Sequence, residues 1–317
     1  MYDGGCVLDI SFEAPGKRFL TVGTNRKVYV WDLQTKKTLR TFSFSERPGF
    51  AAFSPSGKSI IVTVRAPKAL RLPIELPKRV VDRLPVAQWR VVECDLASGM
   101  KKTICGAKTE EIPVGFNVKS ETVVLYGARP APFNETHYYL KIRTIKSTKE
   151  LVRVWKQPFN VMAFSQDHTR VALLFGNGLI RIVDLQTEQV LFAFQLDANA
   201  DSGLAFLPDG NRFVAISKEE SQILFFGNIA KKKIEPSRRL LYSLVGINGV
   251  SKDGRFVAFR WQQRLVAWDF KAGQAKQFAG IHPARWDIIE FSPCNTFLMA
   301  ADARGNLYQF KIPAHDR

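Results

Sequence analysis

The chain has 317 residues, of which 46 are Lys or Arg and 29 Asp or Glu, giving a net charge of +17; 46% of residues are hydrophobic and 12% aromatic. That apolar content excludes a disordered basic tail, and the length suits one all-β propeller or barrel as well as two domains. No stretch approaches the ~20 apolar residues of a membrane helix, and MYDGGCVLDISFEAPGKRFL lacks the basic start and apolar run of a secretory leader, so a soluble, cytoplasmic protein is expected.

From the first residues onward the pattern alternates with period two. VLDISF is a strand, APGK turns the chain, RFLTVG pairs back, TNRK turns again, VYVWDL is a third strand and TLRTFSF a fourth. The same order then recurs. An apolar residue followed by a Pro/Gly/Asp turn opens each unit: FEAPGK at Phe12, FSPSGK at Phe53, FNVKSE at Phe116, FSQDHT at Phe164, FLPDGN at Phe206, VSKDGR at Val250 and FSPCNT at Phe291. The spacings are 41, 63, 48, 42, 44 and 41 residues, and five of the six lie near the ~40–45 residues of a four-stranded propeller blade. Third-strand endings recur as well: VYVWDL at Val28, VVECDL at Val91, IRIVDL at Ile180 and LVAWDF at Leu265.

These residues resemble the WD40-repeat family over essentially the whole chain. The family's Gly-His pair precedes none of the units, so its His/Ser/Asp/Trp hydrogen-bonded tetrad does not carry over; Asp302 in ADARGNLYQF is the one residue placed for the tetrad aspartate. The resemblance implies a divergent member held together by apolar packing, because a small four-stranded sheet buries its faces only by stacking on neighbours. The expected fold is one all-β domain: a seven-bladed β-propeller of four-stranded antiparallel blades near residues 6–44, 50–107, 112–157, 159–196, 201–244, 246–280 and 285–312. The last unit has strands near 286–291, 297–302 and 305–312 and then PAHDR, which leaves two alternatives: a three-stranded last blade, or a module cut from a longer parent.

Two segments depart from the repeat between their second and third strands. Residues 65–88 carry Pro67, Pro73, Pro77 and Pro85 with Arg65, Lys68, Arg71, Lys78, Arg79 and Arg83 against Glu75 and Asp82; residues 127–138, GARPAPFNETHY, carry Phe133. Both are expected to emerge as loops on one face from adjacent blades, forming a composite basic and apolar docking surface or a proline-stiffened flap packed on its own scaffold. A second basic run, AKKKIEPSRR, with Lys231, Lys232, Lys233, Arg238 and Arg239, is read as the connection between strands three and four of the fifth unit, on the opposite face. Charge is uneven: residues 1–158 hold 27 basic and 14 acidic side chains, and 159–317 hold 19 and 15.

No catalytic constellation is visible. His137, His168, His282 and His315 lack metal-ligand spacing, and no nucleophile elbow, phosphate loop or dinucleotide fingerprint occurs, so neither a cofactor nor a metal is expected. His282, Arg285 and Trp286 in GIHPARWD form an alternative loop site, with Trp286 packed between blades as the opposing reading. Four cysteines without a Cys-x-x-Cys indicate a reduced protein; Cys94 and Cys105 fall in successive strands of one hairpin. The expected function is a non-catalytic scaffold whose partner is another protein with an acidic surface; the alternative is binding of nucleic acid or anionic lipid, without a membrane span.

Overall fold

The computed structural model describes residues 5–13, 16–65, 88–108, 112–117, 122–130, 136–144, 150–155, 159–165, 167, 169–187, 189–196, 203–216, 223–239, 244–261, 263–280 and 285–312. The chain forms two compact units, residues 1–156 and 157–317. Both consist of antiparallel sheets in which consecutive strands are neighbours.

The first unit holds three four-stranded sheets. These are β1 (Val7–Phe12), β2 (Arg18–Gly23), β3 (Lys27–Asp32) and β4 (Thr38–Ser43); β5 (Arg47–Phe53), β6 (Ser59–Arg65), β7 (Gln88–Asp95) and β8 (Lys101–Lys108); and β9 (Ile112–Asn117), β10 (Thr122–Pro130), β11 (Thr136–Thr144) and β12 (Glu150–Trp155). The second unit holds β13 (Phe159–Phe164), β14 (Arg170–Phe175), β15 (Leu179–Asp184) and β16 (Val190–Gln195); β17 (Gly203–Phe206), β18 (Arg212–Ile216), β19 (Ile223–Asn228) and β20 (Lys233–Arg239); β21 (Leu244–Val250), β22 (Phe256–Trp261), β23 (Arg264–Asp269) and β24 (Gln274–Ala279); and a three-stranded sheet of β25 (Trp286–Phe291), β26 (Phe297–Asp302) and β27 (Leu307–Lys311).

Two side-chain devices make these hairpins. After the first strand, Ser54, Ser165, Ser251 and Ser292 accept the backbone N–H five residues on through Oγ, at 3.1, 3.0, 2.8 and 3.2 Å. The turn closes where Gly57, Gly210 and Gly254 take φ of +66°, +64° and +69°, and Asn295 takes that place in the last sheet with φ +55°. That left-handed conformation is why glycine recurs there. After the third strand, the Asp of the Trp-Asp or Val-Asp ending is a turn cap. Asp32 Oδ1 accepts from Thr35 N at 2.6 Å, Asp95 Oδ1 from Ser98 N at 2.7 Å, and Asp184 Oδ1 from Thr187 N at 2.8 Å, and each also takes that residue's hydroxyl. These N–H donors hold all three carboxyl groups below the usual carboxylate range.

Packing runs from sheet to sheet inside each unit. Leu20, Val22, Val28 and Val30 of the first sheet meet Ile60, Val62 and Val64 of the second, all at most 1% exposed. Each such side chain contributes about 1.5–3 kcal/mol of burial. In the second unit Ala172, Ile180 and Ile182 meet Phe206 and Phe213; Val214 and Ile216 meet Val257 and Phe259; and Phe256 and Leu265 meet Leu298 and Ala300. Arginines tie neighbouring turns: Arg18 Nη2 donates to Gly57 O at 2.6 Å, and Arg170 Nη1 donates to Gly210 O at 2.6 Å.

Trp31 Nε1 on β3 donates to Thr21 Oγ1 on β2 at 3.0 Å, in the buried interior. Asp302 is fully buried and takes bonds from Arg304 N, Asn306 N, Asn306 Nδ2 and Tyr308 OH, so it braces the β26–β27 turn.

Two readings change, and of the two open for Trp286 the packed one holds. Residues 127–138 are largely not a loop: Gly127, Ala128, Arg129 and Pro130 pair with Tyr139, Tyr138, His137 and Thr136, prolonging β10 and β11 to nine residues each. Proline is tolerated there because it is the last residue of its strand. Of the run AKKKIEPSRR only Ala230, Lys231 and Lys232 connect the strands, because Lys233–Arg239 is the fourth strand itself; Pro236 fits on this edge strand where the register shifts between Leu224 and Phe226. Trp286, the aromatic of the alternative loop site, lies on β25 at 1% exposure, where Tyr308 and Phe310 meet it edge-on and its Nε1 donates to Gln263 O at 2.9 Å.

Candidate functional site

The strand-two-to-three end of the second sheet gathers positive charge around an exposed ring. β5 starts with Arg-Pro-Gly-Phe, and its register with β6 slips between Pro48 and Ala51. Thr63 resolves the bulge, its Oγ1 accepting Phe50 N at 2.9 Å and donating to Phe50 O at 3.3 Å. Gly49 lies close against Thr63, where a Cβ would sit 3.2 Å from Thr63 Oγ1. Released from the ladder, Phe50 is 39% exposed on a strand whose Ala51 and Phe53 are buried. Bulges re-aim side chains in this way beside functional sites.

Arg47 pairs in register with Arg65, and Arg65 with Trp89. Cross-strand partners share a face, so two guanidinium groups stand opposite one another, Arg47 exposed and Arg65 half-buried. Among the described residues no carboxylate pairs with either. The nearby Glu46 is taken by Arg90. Arg26, in the strand-two-to-three turn of the first sheet, donates from Nη1 to Ser45 O at 3.1 Å, two residues before Arg47. Arg26, Arg47 and Arg65 therefore stand at one end of two adjoining sheets. Trp89 is 1% exposed and anchors this end from within, with the Arg143 guanidinium 5.9 Å from its ring centre.

The other sequence-derived residues are scattered. Lys68, Arg71, Lys78, Arg79, Arg83, Phe133 and His282 lie outside the described residues; Arg65 is the last residue of β6 before that basic segment. Lys231 and Lys232 are exposed in the β19–β20 turn, whereas Arg238 and Arg239 pair with Leu224 and Ile223 at the other end of the sheet. Arg285 is exposed and paired with Asp287 at 2.8 Å. Arg47 and Phe50 were not singled out from sequence, although glycine inside a strand pattern is a bulge signal.

Little here points to chemistry. Among the described residues no three His, Cys, Asp or Glu side chains come together to hold a metal ion, and no helix is long and apolar enough to cross a membrane. Cys94 faces Lys101 and Cys105 faces Val91, so these two thiols do not meet in a disulfide. Burial pushes the Cys94 thiol up to about 12. Asp9 on β1 accepts Ala51 N of the second sheet at 3.1 Å, yet burial pushes its carboxyl up to about 7.

The chain is similar to a solved structure, the β-propeller domain of Cps50 (Swd1) from Myceliophteria thermophila, with a TM-score of 0.67 and 14% identity over 98% of this chain and 97% of that one. The fold is a β-propeller. Its seven blades are the sheets described above, the last with three strands. No family model matches the chain, and no curated protein matches it.

Proposed function

We propose that this propeller is a non-catalytic, cytoplasmic interaction platform of the WD40-repeat kind, and that an acidic protein docks on the strand-two-to-three end of its first unit. The observation that carries this reading is Arg47 directly opposite Arg65 beside the exposed Phe50. Like charges across a ladder cost stability in the free protein, and a partner's carboxylates turn that cost into attraction. In the sequence Arg65 is followed by Lys68, Arg71, Lys78, Arg79 and Arg83, and Phe133 falls between β10 and β11. A bulge and a buried Trp89 fix the anchors before binding, so little ordering cost falls on association.

The test is deletion of residues 66–87 followed by affinity capture from the protein's own cells with nuclease present. The propeller keeps its fold by circular dichroism, and the captured proteins are lost. Unchanged capture refutes the reading, and capture that disappears with nuclease in the intact protein assigns the surface to nucleic acid instead.

A further inference from the structure

The last sheet ends on β27, and among the described residues no strand pairs with its outer side. In each of the other six sheets a fourth strand occupies that position. The backbone phase of β27 is fixed by Ile312 N, which donates to Thr296 O at 2.9 Å and so points at β26. Alternation then turns the N–H and C=O of Leu307, Gln309 and Lys311 to the open side. Exposure agrees: β3 and β23, third strands with a fourth beside them, are mostly buried and β15 has no exposed residue, whereas Gln309 and Lys311 are exposed and the rest of β27 is half-buried.

The same phase shows what the sequence has changed at this corner. Leu33, Leu96, Leu185, Ile229 and Phe270 donate to the residue before the second strand as Ile312 does. Lys311 therefore stands where the other sheets have Asp32, Asp95, Asp184, Asn228 and Asp269. Those residues cap the turn that returns the chain as a fourth strand; the side chain of Lys311 has no acceptor to form such a cap. The charge is also reversed. At these corners Lys37 stands beside Asp32, whereas Met100, Gln189 and Gln274 stand beside Asp95, Asp184 and Asp269.

We propose that the open side of β27 is a strand-addition site for an extended segment of a separate, acidic polypeptide, hydrogen-bonded to Leu307, Gln309 and Lys311 and bearing a carboxylate beside Lys311. Three outward donor–acceptor pairs give such a segment main-chain affinity. Its inward positions take an apolar or aromatic residue, as Phe42, Phe192 and Phe278 do on the fourth strands already present. A second copy fits poorly, because two molecules of net charge +17 repel.

The test combines hydrogen exchange with a synthetic probe, a fluorescein-labelled peptide of residues 35–44, TKKTLRTFSF, carrying K36E and K37E. In the free protein the amides of Gln309 and Lys311 exchange fast while those of Tyr308 and Phe310 are protected, and the peptide slows the first two. The unmodified lysine peptide binds about fivefold more weakly, and Lys311→Glu reverses that preference. Gln309→Pro removes the central outward N–H and abolishes binding; the Lys311→Glu reversal guards against reading a misfolded proline variant as support. Protection of Gln309 and Lys311 in the free protein overturns the proposal, sedimentation then telling a second copy from the chain's own residues. Absence of peptide binding, or binding that survives Gln309→Pro, overturns it too.

Discussion

Arg47 and Arg65 stand directly opposite each other across β5 and β6. Replacing Arg65 with Gln removes like-charge repulsion and raises stability by about 0.5 kcal/mol at low salt. The gain shrinks as salt rises, since these side chains reach solvent. Thermal melts at two ionic strengths check this; a destabilised variant, or a gain indifferent to salt, contradicts it.

Lys36 and Lys232 occupy the left-handed region with φ of +57° and +48°, at the turn position where Gly99 and Gly273 sit in other sheets. Lys36→Gly and Lys232→Gly each stabilise by about 1 kcal/mol, as relief of left-handed strain exceeds glycine's entropy in the unfolded chain. Denaturant midpoints measure the change, and a loss at either position contradicts the assignment of strain.

Much of this was legible in advance because turns carry chemical signatures. Phe53-Ser-Pro-Ser-Gly and Trp31-Asp32 name a tight turn and a capped turn, and their period dictates the number of sheets. Interruptions of pairing were harder to see. The proline in Arg129-Pro130 reads as a loop when sequence alone is weighed, because proline cannot donate; at a strand end nothing needs that donor. Arg238 and Arg239 read as a solvated turn for the same reason, since Pro236 hides an edge strand whose bulge absorbs it. Phe50 does not stand out in RPGFAAF, and only the Thr63 hydroxyl shows why the backbone turns it outward.

Asp9 has a carboxyl pushed up to about 7 by burial against the first and second sheets. A raised carboxyl means the folded state prefers the proton, so Asp9 destabilises increasingly as pH rises from about 4 toward 7, and no further above that. Asp9→Asn therefore raises the melting temperature at pH about 8 and changes it little near pH 4. Equal effects at both pH values contradict the assignment.

Asp269 behaves in the opposite sense. Arg255 grips it with two bonds, Nε to Oδ1 at 2.8 Å and Nη2 to Oδ2 at 2.6 Å, and this pairing lowers its carboxyl below the ordinary value. Its contribution is present above the unfolded carboxylate value, about 4, and disappears as pH falls through the lower folded value. Asp269→Ala costs about 2–3 kcal/mol near neutrality, leaving Arg255 without its carboxylate, and less in acid. Chemical denaturation at two pH values decides it; a pH-independent loss contradicts the ion-pair account.

The most direct test of the docking surface leaves the chain at full length and reverses two charges. Arg47→Glu with Arg65→Glu is compared with wild type by quantitative affinity capture from the protein's own cells, nuclease present throughout. The pair of substitutions is predicted to eliminate the protein partners that wild type retains, while the melting temperature changes little, because Glu opposite Glu leaves a like-charge pair in place. Capture of the same proteins in the same amounts by the folded double variant would contradict the assignment of this surface.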